Sequence, residues 1–360
     1  MRILDRYILR EFLGYLALGL VGFIVIFIVV DVFEKIDVFL DHRAPTELIG
    51  RFYLYRAPEV VVQVLPVALL LATFLALGQL NKFGELTAMR AAGLPLMRIV
   101  RTVFAVAAVA SACSMLLNEY VVPAANRERD RIYEERIQGK VRDAATERAD
   151  ITYLGQGGHI WVIRLYLVRD RRMHEVSLQE FDLDGTLRRR IDAAEAGWTG
   201  GEWVFRSGFE RRFTDGRERA EPFVERVIED LAERPEDFAK EERKPEEMDF
   251  LELRRYIGRL RSSGARVANY LVDLQLKLAF PLVNLVVVLI GAPLATRLRM
   301  QSAALGFGLS IAISFLYYAL LRTGQALGHS GALSPYLAAW LGDLVFGLVG
   351  LVMMAQAQRT

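Results

Sequence analysis

The sequence predicts a membrane α-helical protein, with six transmembrane helices in a three-plus-three layout around an inserted all-β sandwich or jelly roll. Two observations carry this. Six long apolar runs lie three before and three after a polar block, and within that block the hydrophobic period changes from helical to two. Phe12 to Val30, Val60 to Asn81, Thr102 to Asn118, Leu278 to Thr296 and Met300 to Leu321 contain no Asp, Glu, Lys or Arg. The sixth, Ala332 to Ala357, is interrupted only by Asp343. A hydrocarbon core about 30 Å thick needs ~20 apolar helical residues, and soluble cores rarely need even one such run.

The expected domains are 1–122 (first three helices), 123–267 (β-domain with flanking helices) and 268–360 (last three helices). The first run is too long for a signal-peptide core and is followed by Asp31, Glu34 and Lys35 rather than small residues, so it reads as a retained helix. Lys and Arg in the short loops set the orientation. With the N-terminus inside, the inner pieces hold Arg2, Arg6, Arg10, Lys82, Arg90, Arg98, Arg101, Arg297, Arg299 and Arg359. The outer ones hold only Lys35, Arg43, Arg51, Arg56 and Arg322. Both termini are therefore expected in the cytoplasm and the polar block outside, in a periplasm where there are two membranes.

Within that block, Ala124 to Glu147 reads as a helical continuation of the third span. From Ile151 onward the pattern is extended. Trp203, Phe205, Phe209 and Phe213 alternate with Glu202, Arg206, Glu210 and Arg212, and Leu187, Ile191 and Ala193 with Arg188, Arg190 and Asp192. His159 to Val168 is apolar on both faces apart from Arg164. Turns are expected at Gly155–Gly158, Asp184–Gly185, Gly200–Gly201 and Asp215–Gly216. A polar connector, Arg234 to Pro245, leads to Asp249 as helix cap. An amphipathic helix follows, with Phe250, Leu253, Ile257 and Leu260 on one stripe, ending at Ser262-Ser263-Gly264.

Composition and motifs exclude several classes. The 45 Lys and Arg nearly balance 43 Asp and Glu, and no basic block suggests nucleic acid. The single cysteine, Cys113, lies in a span, so no disulfide or cysteine metal site is expected. There is no G-x-x-x-x-G-K-[ST], no H-E-x-x-H and no Ser/His/Asp set; the four histidines are scattered. No catalytic residue, metal or cofactor is therefore expected of this chain, and energy would come from a partner or a gradient. Asp343 reads as an inward hydrogen-bonding acid or a proton relay. Lys277 beside Pro281 reads as a snorkelling side chain at a kink.

The stretch Asn81 to Pro95 is too long for a turn and predicts a short helix over 84–93, with helix formers from Glu85 to Ala92, then Gly93 and Pro95. Such a helix on the cytoplasmic surface either docks a soluble partner, with Glu85, Leu86, Met89 and Arg90 as contacts, or merely joins two spans.

Leu4-Asp5-Arg6-Tyr7-Ile8, Glu85-Leu86-Thr87-Ala88-Met89-Arg90-Ala91-Ala92-Gly93-Leu94, Leu260-Arg261-Ser262-Ser263-Gly264 and Lys277-Leu278-Ala279-Phe280-Pro281, with the three-plus-three layout, resemble the lipopolysaccharide export permeases, the LptF/LptG family. The opening and the Ser-Ser-Gly stretch are more similar to the LptG type, although Arg6 to Glu11 also resembles the LptF start. The resemblance implies one permease of a heterodimer seated on a cytoplasmic ABC ATPase dimer that uses the ATP. The Glu85 helix would be its coupling helix. Lipopolysaccharide would leave the outer leaflet of the inner membrane through gates formed by the first and fifth helices. It would then pass through the β-domain to periplasmic bridge proteins with similar jelly rolls. Where some members carry a basic residue near the outer end of the first helix, this chain has Asp31, with Lys35 one turn on.

Acyl chains gain ~0.8 kcal/mol per CH₂ kept from water, so an export route needs an apolar lining. Trp161, Ile163, Leu165, Leu167, Trp203, Phe205 and Phe209 could supply one, or could form an ordinary core. The alternatives are a permease of another ABC exporter, of lipoproteins or lipids, and an ion-coupled secondary transporter. The first usually places its large domain after the first helix. The second needs paired intramembrane charges, for which only Asp343 answers.

Overall fold

A computed structural model describes residues 3–139, 147–155, 159–182, 186–214, 217–228, 231–239, 244–262, 267–297 and 303–359. The expected turn residues 156–158, 184–185 and 215–216, the stop at 263–264 and Met300 lie outside them. The chain forms two compact units, one of residues 1–133, 245–250 and 268–360, the other of residues 134–244 and 251–267.

The first unit is helical. It contains α1 (Ile3–Asp41), α2 (Thr46–Lys82), the short α3 (Glu85–Ala91) and α4 (Leu96–Leu116). A π-turn at Leu117–Val121 carries α4 into α5 (Val122–Arg131), and a second follows at Ile132–Ile137. After the β-unit come α8 (Ala268–Arg297), α9 (Ala303–His329) and α10 (Pro335–Arg359). Among the described residues six helices are long and apolar enough to cross a membrane, counting α4 and its continuation as one. In the most apolar stretch of α2, 72% of residues are buried, against 11% for α1, so α2 is the axis and α1 lies at the periphery. Close helix approach relies on missing side chains, as in membrane bundles generally. A Cβ on Gly291 of α8 would lie 2.7 Å from Leu70 of α2. Asn284 donates to Ser114 Oγ at 3.1 Å, tying α8 to α4. Tyr317 of α9 donates to Asp343 of α10 at 2.8 Å, which places Asp343 inward as a hydrogen-bond acceptor.

The second unit is built on one antiparallel sheet in sequential order: β1 (Glu147–Leu154), β2 (His159–Leu167), β3 (Arg172–Phe181), β4 (Leu187–Thr199), β5 (Glu202–Thr214) and β6 (Arg217–Ile228). Gly200 and Gly201, both at positive φ, make the two-residue β4–β5 turn read from the sequence. The β2–β3 turn contains no glycine and uses Arg171 at φ 51°, so it carried no sequence signal.

A crease crosses the whole sheet. Asp150, Arg164, Glu175, Ala194, Ser207 and Val224 form a row of opposed positions at which the ladder pairing is interrupted in all five strand pairs. Glu175 and Ser207 take positive φ there. On either side of the row, core-facing residues stand three apart instead of two: Ile163 and Tyr166, Met173 and Val176, Ala193 and Ala196. Each strand therefore changes the face it presents, as a one-residue slip does. Two expectations are corrected by this. Phe209 does not share a face with Trp203 and Phe205: it is 52% exposed, and its neighbour Glu210 is buried instead. Leu165 lies on the face opposite Ile163 and Tyr166, and Leu167 follows it. The unbroken period-two count across Ser207 and Arg164 is what failed.

The core face carries Trp161, Ile163, Tyr166, Leu178, Ile191, Trp203 and Phe205. It is closed by the segment read as a polar connector, whose α6 (Pro235–Ala239) inserts Phe238 between four rings. Their centroids lie 4.8 Å (Tyr153), 5.0 Å (Trp161), 5.6 Å (Trp203) and 6.1 Å (Tyr166) away. Three donors fix the segment's carbonyls: Trp203 to Glu233 at 2.9 Å, Tyr166 to Pro235 at 3.0 Å and Arg148 to Phe238 at 2.6 Å. The amphipathic helix, α7 (Phe250–Ser262), buries Leu253, Ile257 and Leu260, and the N–H of Phe250 is taken by Glu119 at 3.0 Å. Phe238→Ala should cost the β-unit ~3–5 kcal/mol. Unfolding of the full chain in detergent, followed by tryptophan fluorescence, should show an earlier first transition; an unchanged one would remove Phe238 from the core.

Candidate functional site

Three features of the helical unit and one of the β-unit could serve transport. The first is α3. Gly84 (φ 72°) and Gly93 (φ 82°) bracket it in left-handed conformations that only glycine adopts freely, giving a rigid seven-residue helix between two sharp corners. Leu86 is buried and Met89 half-buried against the helical core, so both face inward and anchor the helix. The outward surface holds Thr87, Ala88, Arg90 and Ala91, with Phe83 exposed beside it. Glu85 is half-buried and accepts a hydrogen bond from Tyr7 of α1 at 3.3 Å. Of the four residues expected here, Arg90 is exposed, Glu85 and Met89 are half-buried and Leu86 is buried. Phe83 and Tyr7 were missed: nothing local marks a lone aromatic as exposed, and Tyr7 comes from a distant part of the chain.

The second is α1 itself. Asp5 at its foot is buried, with Arg101 Nη2 3.0 Å and Arg98 Nη2 3.6 Å away on the first turns of α4. Tyr15 donates to Gln79 of α2. At the other end Asp31, also buried, takes Lys35 at 2.6 Å, Arg56 at 2.8 Å and the Tyr53 hydroxyl at 3.0 Å. The Arg56 guanidinium also lies over the Phe27 ring, 5.5 Å from its centroid. The acid is thus the hub of a cationic cluster; Arg56 and Tyr53 sit on α2, 22 or more residues away. Between the two ends α1 is apolar and uncovered at Val21, Val25, Ile26 and Val30. A cleft of about 400 Å³ separates it from α2 and α9, lined by Leu18, Gly22, Leu75 and Ala304, and Phe23 stacks on Phe307 of α9 at 5.9 Å.

The third is a cavity of about 650 Å³ among α2, α5, α8 and α9, lined by Glu59, Gln63, Asn126, Lys277, Tyr318 and Arg322 among others. Arg129 pairs with Glu59, and Asp273 with His329 at 3.1 Å. Lys277, expected to reach an interface beside Pro281, lines this cavity. Among the described residues no three His, Cys, Asp or Glu side chains converge as a metal site.

The fourth is the sheet. Trp161, Ile163, Trp203 and Phe205 come together on the core face and are fully buried under the Phe238 segment, whereas Leu165 and Phe209 lie on the opposite face. There Phe209 and Val162 border a groove of about 540 Å³ along the crease. At one end of the core face Glu210 is buried with Arg189 at 2.9 Å, Arg212 at 2.7 Å and Arg226.

The model of the lipopolysaccharide export system permease LptF/LptG family matches residues 6–356, nearly the whole chain. The chain belongs to this family. No curated protein matches it. As a member of a family of transport permeases, with six helices of membrane-crossing length and apolarity among its described residues and an inserted β-domain, it is a multi-pass membrane protein.

His159 provides a pH handle on the β-unit. The Glu233 carboxylate 3.9 Å away raises its pKa above the ordinary value; burial opposes this and Glu180, 3.8 Å away, adds to it. Because the folded value lies above an unfolded one of about 6.5, protonated His159 contributes its full stabilisation below about pH 6.5. That contribution fades as pH rises through the raised value. The β-unit should therefore lose stability as pH rises above about 6.5, and His159→Gln should flatten the slope. Fluorescence-monitored denaturation at several pH values checks this, and identical slopes in both proteins would exclude His159 as the cause.

Proposed function

We propose that this chain is one permease of an ATP-driven exporter that lifts lipopolysaccharide from the outer leaflet of the inner membrane and passes it outward along its β-domain. The observation that carries this reading is α1, a membrane-length helix held by polar contacts at both ends and left apolar and uncovered between them. Such a face needs lipid or a second permease, and the cleft beside α9 has the apolar lining that an acyl-chain path requires. A second permease of the same family covering α1 and α9 gives the heterodimer. Within the family, the Leu4-Asp5-Arg6-Tyr7 opening favours the LptG type.

The cytoplasmic ATPase dimer meets α3 through Glu85, Arg90 and Phe83, which puts both termini in the cytoplasm and the β-unit in the periplasm. Lys35 and Arg56, only partly neutralised by Asp31, suit the phosphates of a glycolipid headgroup at the outer membrane surface. In the β-domain, Trp161, Ile163, Trp203 and Phe205 can meet an acyl chain only if the Phe238 segment leaves them. Leu165 and Phe209 can do so on the opposite face without that change. Beyond the domain, periplasmic bridge proteins with similar jelly rolls receive the lipid. ATP is bound by the ATPase subunit alone.

Purification with untagged chromosomal partners tests the assembly: an ATPase subunit and a second permease of about the same size should co-purify, and their absence would reject it. Glu85→Lys should lower the ATPase yield in that complex, since losing an interfacial pair costs ~2–5 kcal/mol where it is buried. The chain alone should hydrolyse no ATP. Photo-crosslinkers at Trp203 and at Phe209 should separate the two faces of the sheet. An ATP-dependent glycolipid adduct is expected at one of them and none at Arg188 or Arg190; no adduct at any strand position in a transporting complex would refute the route.

A further inference from the structure

We infer that Tyr7 is a positioning residue that transmits movement of α3 to α1, making α1 a lever worked from its foot. The inference rests on the proposed seating of α3 in an ATPase.

The chain connects α3 to α2 and α4, through Phe83-Gly84 on one side and Gly93-Leu94-Pro95 on the other. Both neighbours are packed helices that resist displacement. The α1 helix is the least buried of the six, so it moves at the smallest cost in lost contacts. Sequence separation does not link it to α3; the Tyr7 hydroxyl on Glu85 does. Asp5, two residues earlier, grips Arg98 and Arg101 on the turns of α4 that begin just after the second glycine corner. A tilt of α3 between Gly84 and Gly93 therefore pulls on the foot of α1 through Tyr7, while Asp5 ties that foot to α4.

The middle of the helix supplies a pivot. A Cβ on Gly19 would already touch Leu71 of α2 at 3.4 Å, whereas one on Gly14 or Gly22 would meet nothing within 4 Å, so α1 approaches α2 closely at Gly19. Tyr7 lies 12 residues before Gly19 and Asp31 lies 12 after it. At 1.5 Å per residue the arms are each about 18 Å long. Displacing the foot swings the far end by a comparable amount in the opposite sense. What resists is the hub of Asp31 with Arg56 and Tyr53, which holds that end to α2. The element has two states, with the hub closed or pulled open, and the nucleotide state of the ATPase biases it through one hydroxyl.

The test uses the assembled complex, in a Cys113→Ser background with Val29→Cys as a reporter on the outer half of α1. Three quantities are read: ATPase co-purification, glycolipid released per ATP hydrolysed in proteoliposomes, and the change in Val29→Cys labelling by a membrane-impermeant maleimide on trapping with ATP and vanadate. Tyr7→Phe removes only the hydroxyl. It should keep the ATPase bound and hydrolysing, lower glycolipid per ATP by about fivefold or more, and abolish the nucleotide-dependent labelling change. Glu85→Gln leaves an oxygen to accept from Tyr7 and should retain the labelling change even if it weakens ATPase binding. An unchanged ratio and labelling response in Tyr7→Phe overturns the inference. Loss of the ATPase from Tyr7→Phe also overturns it, by making Tyr7 a docking residue. If the unaltered chain brings down no ATPase, the seating of α3 has failed and the lever falls with it. If it does, and only Tyr7→Phe behaves like wild type, the seating stands alone.

Discussion

In a hydrocarbon phase a charge finds no water, so another side chain must meet it, and that requirement organises the helical unit. Three of its buried acids are met from a different helix. Asp5 of α1 is met by arginines of α4, Asp31 of α1 by Arg56 and Tyr53 of α2, and Asp343 of α10 by Tyr317 of α9. These ties fix how the helices are rotated about their axes, which apolar packing alone leaves loosely defined. They also leave α1 polar at both ends and apolar in between, the distribution from which its proposed role follows.

The six spans were legible because twenty uncharged apolar residues in a row have few other uses, and each was found as a long helix. The partners of the intramembrane charges were not. Arg56 in sequence is one basic residue in an outer loop count, and nothing local says that it turns back onto Asp31. Glu85 was picked out correctly as a helix-start acid, but the Tyr7 hydroxyl that meets it comes from 78 residues earlier. In both cases the missing information is long-range packing, which periodicity does not encode.

The β-unit shows the complementary failure. Strands were found where alternation was clean, and the face assignment held for Trp161, Ile163, Trp203 and Phe205. It broke at Leu165 and Phe209, beyond positions where the backbone rather than the side-chain pattern changes. Phe238 was passed over because its neighbours are charged, yet a single aromatic residue in a polar stretch is a reasonable sign of an anchor. That residue completes the hydrophobic interior of a sheet which could not otherwise cover one of its own faces, and hydrogen bonds to its own carbonyl and to those of Glu233 and Pro235 before it hold it in place.

The crease has a consequence for how such a domain can change over time. In an ordinary meander a hairpin can lengthen or shorten by a residue pair while its neighbours carry on undisturbed. Here six strands switch faces along one line, so the residue at the switch in each is tied to the switch in the next. Deleting a residue near Ser207 would turn the outer half of β5 over against two partners that had not turned, bringing the exposed Phe209 onto the core face and turning the buried Glu210 out of it. Length changes should be confined to the hairpin ends, and the six switch positions should drift together or not at all.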